Sequence, residues 1–241
     1  MDETSVRKIY KTYSSTRKMD VVNKGEFIEI EFTGRANGQV FDTNNTDELK
    51  KLNPNAVPKK TIIAIGQGMI IDALDKSLEG KEIGKEYSVF IKSEDAFGPR
   101  RKDMVKVIPL KAFIEKEVYP RAGMVLTLDD MIVKITAVSG GRVTVDFNNP
   151  LAGKDLDYNF KILRKVDSDE EKARAVFEIM FKFVPEFTTG DKITIKGPKF
   201  MESFVKAYGS KFKEIVGKDL AFELKEQKVE DKKEELNVKQ N

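Results

Sequence analysis

The stretch that most constrains the fold is residues 63–84, IAIGQGMIIDALDKSLEGKEIG, an apolar run, two glycines, a short amphipathic segment and a glycine-stopped turn in succession. Ile70, Ile71, Leu74 and Leu78 recur at helical spacing and share one face, while Asp72, Asp75, Lys76 and Glu79 fall largely on the other. Gly66 and Gly68 permit backbone conformations that a side chain would forbid, and Gly80 and Gly84 suit a helix stop and the turn after it. The pattern predicts one short helix between strands, with its apolar face covering a sheet.

The strands for that sheet flank the helix. Residues 27–33, FIEIEFT, set Phe27, Glu29, Glu31 and Thr33 against Ile28, Ile30 and Phe32, the period of a half-buried strand. Asn37-Gly38 marks a hairpin turn into Val40-Phe41-Asp42. A polar, turn-rich loop with a helical turn at 47–52 precedes the helix, and residues 87–91 follow it as another strand. Leu156, Tyr158, Phe160 and Ile162 alternate again, as a strand separated from its sheet by an insertion.

Between the bend SEDAFGP at 93–99 and Asn149-Pro150, the runs MVLTL, MIVKITAV and RVTVDF predict a small all-β unit over residues 100–148. At about fifty residues it is marginal alone and is expected to be mounted on a neighbour. Phe113, Met124, Leu126, Met131, Ile132 and Val133 exceed what such a unit can bury, which predicts an exposed apolar surface that accepts varied unfolded chains. Beyond Val166 a helix opens at Ser168 with Glu171 three residues later and runs to Phe183. Strand, helix and strand follow at 191–195, 199–216 and 220–224, an αβαβ unit over residues 167–225. Residues 1–19 read as an extension and 226–241 as a charged tail.

Composition removes whole classes of chemistry. The 241 residues contain neither histidine nor cysteine, so imidazole bases, Ser-His-Asp triads, thiol nucleophiles and His- or Cys-ligated metals are excluded. The 43 basic and 40 acidic side chains nearly balance, which does not suit a nucleic-acid partner. No apolar run approaches 18 residues and the first residues lack a secretory core, so no membrane association and a cytoplasmic location are expected.

Four ordered motifs then carry a resemblance: GRANGQVFDTN at 34–44, the stretch 63–84, DAFG at 95–98 and NPLAGKDLDYNF at 149–160. Together they resemble the FKBP-type peptidyl-prolyl cis-trans isomerases, in particular the SlyD-like branch and its long archaeal relatives, over about residues 21–166. The resemblance implies an α+β fold: an antiparallel sheet wrapped on a short helix at 20–99 and 149–166, with an insert-in-flap chaperone domain at 100–148. It implies prolyl isomerisation without cofactor or metal, on unfolded or proline-containing polypeptides, and self-association as a homodimer through the C-terminal unit.

Carried over residue by residue, it places Asp42, Ile71, Phe97 and Phe41 in the catalytic set and Phe32, Ile70, Leu74 and Tyr158 in substrate binding. The role carried to Ile71 is that of its backbone N–H, which binds a substrate carbonyl. Leu74 stands where single-domain members have a tryptophan, and Phe32 and Phe97 where many have tyrosine, so two hydroxyls that could bond a ligand are absent. The other reading of the same residues is a holdase chaperone or assembly factor without turnover.

Overall fold

The computed structural model describes residues 20–128 and 131–225; the expected extension and tail lie outside them, as do Asp129 and Asp130. In chain order, the first part comprises β1 (Phe27–Ala36), β2 (Gln39–Thr43), α1 (Thr46–Leu52), β3 (Thr61–Ala64), α2 (Asp72–Leu78) and β4 (Glu86–Ile91). Then come β5 (Val105–Pro109), α3 (Leu110–Ile114), β6 (Val125–Leu128), β7 (Met131–Ser139) and β8 (Arg142–Asp146). The chain continues through β9 (Leu156–Lys165), α4 (Asp169–Phe181), β10 (Glu186–Thr188), β11 (Ile193–Gly197), α5 (Met201–Val216) and β12 (Leu220–Leu224).

β1 organises the main sheet, whose order is β2-β1-β9-β4 with β3 also paired to β1. One edge of β1 runs antiparallel to β9 over most of its length; the other is shared, residues 27–30 pairing with β3 and 33–36 with β2. Ile28, Ile30, Ile63, Leu156 and Ile162 face α2 and bury Leu74 and Leu78 beneath it. The helix is shorter than the apolar spacing suggests: Ile70 and Ile71 precede it, Ile71 acting as its N-cap in extended conformation.

The half-buried pattern of β1 is corrected by a distant segment. Phe27 and Glu29 are buried too, because Phe27, Ala64, Ile62 and Val166 form a second core with Val176, Phe177, Ile193 and Phe212 from the last third of the chain. Glu29 is paired there with Arg164, which contacts it at 2.7 Å and Glu171 of α4 at 2.6 Å. One guanidinium thus ties β1, β9 and α4 together.

The last unit contains β10, which the alternation did not reveal, so its order is αββαβ. Its sheet runs β10-β11-β12, antiparallel and then parallel. α4 stops at Phe181 because Lys182 turns left-handed at φ 63°, leaving Phe183 outside the helix; Gly217 ends α5 the same way.

The insert is a separate four-stranded sheet, β5-β8-β7-β6, closed on one face by Phe113 of α3. Its neck is braced. Arg100 reaches Asp146 at 2.6 Å, and Asn148 both accepts from the Arg101 N–H at 2.8 Å and donates to the Arg101 carbonyl at 2.9 Å. Burial raises the Asp146 carboxyl, but hydrogen bonds from Asn148 and Arg100 outweigh it and hold the group below the usual aspartate value.

Arg164→Ala should destabilise the protein by about 1–3 kcal/mol, because it strands a buried carboxylate. Replacing Glu29 by Ala in the same chain should return part of that loss. A double-mutant cycle in urea denaturation measures both; additive losses would remove Glu29 as the reason.

Candidate functional site

The site begins at the glycine loop between β3 and α2. Gly66 and Gly68 adopt φ 73° and 66°, and their N–H groups point inward to the Asp75 carboxylate, at 2.8 and 3.1 Å. Asp75 is therefore not on the solvent face of α2: it is 3 % exposed and pins the loop to the helix's first turn. Charge-assisted bonds of this kind are about twice as strong as neutral ones. The pin determines where Ile70 and Ile71 sit. The Ile71 carbonyl accepts from the Asp75 N–H at 3.0 Å, while among the described residues no protein acceptor lies within hydrogen-bond reach of the Ile71 N–H.

Above the helix the structure gathers a cavity of about 200 Å³ lined by Ile30, Phe32, Phe41, Asp42, Ile70, Ile71, Leu74, Phe97 and Tyr158. All eight residues named for the pocket meet in this one place, and Ile30 joins them. Leu74 forms the floor, 3 % exposed; Phe41 meets Tyr158 edge-on at 5.7 Å, and Phe32 lies tilted at 6.2 Å from the same ring. The wall is largely apolar, with two titratable groups, Asp42 and Tyr158, among its residues. Burial pushes the Asp42 carboxyl above the usual aspartate value, against one backbone hydrogen bond at Thr43 that pulls it down. Burial first, and the neighbouring Asp42 charge second, push the Tyr158 hydroxyl up to about 12, so it stays protonated.

Gly34 is the part of the site that sequence reasoning missed. It lies opposite Asp42 on β2 and Tyr158 on β9, where the β1–β2 register slips. A Cβ there would fall 2.8 Å from both the Phe41 and the Tyr158 rings. The rings can approach each other only because that position has no side chain. An isolated glycine within a strand pattern is the available signal for such an approach.

The surface expected on the insert divides. Phe113 and Val133, at 4 % and 1 % exposed, are core residues of the insert and no part of its surface, because alternate β7 residues point under α3. Leu126 is half-buried, while Met124, Met131 and Ile132 remain exposed, together with Val107 and Val125. Among the described residues no cluster of three or more acidic, histidine or cysteine side chains could hold a metal ion, and no helix is long and apolar enough to cross a membrane.

Gly34→Ala should cost about 1–3 kcal/mol through overpacking and displace both rings, read as a lower Tm and altered tyrosine near-UV dichroism. An unchanged spectrum would exclude the close-approach role. Because the folded state raises the Asp42 pKa, the carboxyl costs stability as pH rises through that value and costs nothing below the unfolded one. Asp42→Asn should therefore stabilise the protein slightly at neutral pH, read as a small rise in Tm. The gain should vanish in acid; a gain independent of pH would show that ionisation is not its cause.

Comparison with known proteins points the same way. Residues 19–118 match the family model described as FKBP-type peptidyl-prolyl cis-trans isomerase, and residues 106–151 match the one described as FKBP26, IF domain. A short-type peptidyl-prolyl cis-trans isomerase of Methanocaldococcus jannaschii is 28 % identical over 148 residues, covering 60 % of this chain and 94 % of that protein. The FKBP-type peptidyl-prolyl cis-trans isomerase SlyD of Escherichia coli is 32 % identical over 110 residues, 44 % of this chain and 56 % of its own length. SlyD of Vibrio cholerae is 34 % identical over 110 residues, 44 % of this chain and 55 % of its own. The chain thus spans about half the length of these two relatives. The family match, the relatives' names and the apolar pocket that the matched segment helps to build agree: over residues 19–118 the chain is similar to the FKBP-type peptidyl-prolyl cis-trans isomerases.

Proposed function

We propose that the protein catalyses X-Pro isomerisation in unfolded polypeptides, with residues 100–148 as a capture module and the cavity as the place where the prolyl ring turns. The observation that carries this is the small apolar cavity beside an unengaged Ile71 N–H. Its volume of about 200 Å³ lies below the roughly 300–1,000 Å³ of pockets for drug-sized ligands, and favours one ring over a bulky ligand.

Rotation about the imide breaks amide resonance against a barrier of about 18–20 kcal/mol and needs no proton transfer. A largely apolar wall of Phe32, Phe41, Leu74, Phe97 and Tyr158 withdraws water from the imide carbonyl, and so favours the twisted state over the planar one. The Ile71 N–H holds the neighbouring peptide carbonyl, and Asp42 acts through its field on the edge of the cavity. Met124, Met131 and Ile132 supply an adaptable apolar contact near the unpaired edge of β6, where an extended chain adds as a strand. The last unit exposes Phe183, Phe200 and Tyr208 around Phe181 and Phe204, an aromatic face suited to pairing two copies of the chain.

The test compares proline-limited refolding and tetrapeptide isomerisation in three proteins. Ile71→Pro removes the donor where φ is already −60°, a value proline accepts, so a folded protein with at least about tenfold lower activity in both assays is expected. Replacing residues 100–148 by a short loop should spare the tetrapeptide and slow refolding. A folded Ile71→Pro protein with full activity would refute the donor role, and equal refolding by the loop variant would refute capture.

A further inference from the structure

β1 changes partners along one edge, and the change falls inside the pocket wall. Its residues 27–30 pair with β3 and its residues 33–36 with β2, so the polar groups of Ile30 and Phe32 open onto a gap between two strands. Both residues line the cavity. Unpaired backbone groups there would cost stability and leave the wall free to shift.

One side chain fills the gap. Asn44, just past β2, accepts from the Phe32 N–H through Oδ1 at 2.7 Å and donates from Nδ2 to the Ile30 carbonyl at 2.8 Å. The same Nδ2 donates to Thr61 Oγ1 of β3 at 3.0 Å. Its own N–H and the Thr43 hydroxyl close the Phe32 carbonyl, at 3.2 and 2.9 Å. A carboxamide offers the donor and acceptor of a peptide group in one plane, so Asn44 serves as a missing strand residue between β2 and β3. No other uncharged side chain of that length offers both functions.

We propose that Asn44 is a positioning residue for the isomerase: its carboxamide stands in for a strand and holds Ile30 and Phe32 in place as the cavity wall. Asn44 makes no contact with substrate in this role. The proposal rests on the isomerase activity of the same pocket.

Three proteins, wild type, Asn44→Ala and Asn44→Asp, test it by tetrapeptide kinetics across pH, with Tm measured alongside. Asn44→Ala should lower kcat/KM by about ten- to a hundredfold, as expected for a misplaced wall. Asn44→Asp should behave like it at neutral pH, where a carboxylate has no donor for Ile30. In acid the new carboxyl regains an O–H donor beside its acceptor oxygen, and activity relative to wild type should return. The titratable and charged groups on the surrounding elements are Glu29, Glu31 and Arg35 of β1, Asp42 of β2, Asp47, Glu48, Lys50 and Lys51 of α1, and Lys59 and Lys60 before β3. They are common to both proteins, so the ratio reports the new carboxyl.

A merely structural role would lower Tm without that pH-dependent rescue. A folded Asn44→Ala protein with wild-type kcat/KM, or a ratio for Asn44→Asp that is flat with pH, would overturn the proposal. A wild type inactive on every prolyl peptide would bring down the isomerase reading itself, and this role with it.

Discussion

Everything in this structure depends on β1 being covered on both faces. Its inner face, Ile28 and Ile30, closes over α2, and its outer face, Phe27 and Glu29, is sealed by α4. A strand buried on both sides cannot slip, since a shift of one residue would exchange Ile30 for Glu29 or Glu31 in the apolar core. The pocket is built on that immobile strand. Phe32 projects from it, Gly34 lets two rings meet above it, and Asn44 repairs its one unpaired edge.

The chemistry asks little of reactive groups and much of geometry. Without histidine or cysteine, what the chain brings together at the proposed site is an apolar cavity, a free backbone donor and a carboxylate whose ionisation is made less favourable by burial. Each depends on backbone held in an uncommon place. The two left-handed glycines bound by Asp75 set the Ile71 N–H, and the register slip at Gly34 sets the rings. Preorganisation of this kind replaces reactive side chains when the reaction is a rotation.

Much of this was legible in the chain. The alternations at 27–33 and 156–162, the hairpin at Asn37-Gly38 and the Ser168 cap lie where the strands, turn and helix form. These signals are local, because each reports which side of its own element is apolar. The pocket's membership came instead from motif order, since no periodicity could say that Phe97 and Tyr158 meet Phe41 across the sheet.

By itself, the sequence determined the excluded chemistry, the order of most elements and the residues from which a pocket could be made. Tertiary structure decided the rest. Asp75 reads as a surface carboxylate until two glycine N–H groups arrive to satisfy it. Phe113 and Val133 read as spare apolar surface until α3 folds over β7, and β1 reads as half-buried until α4 returns from more than a hundred residues away. Burial is a property of which segments meet, and hydrogen-bond satisfaction of a side chain depends on partners that periodicity does not encode. Glycine loop, pocket wall and second core therefore became visible only once distant stretches of chain were brought together.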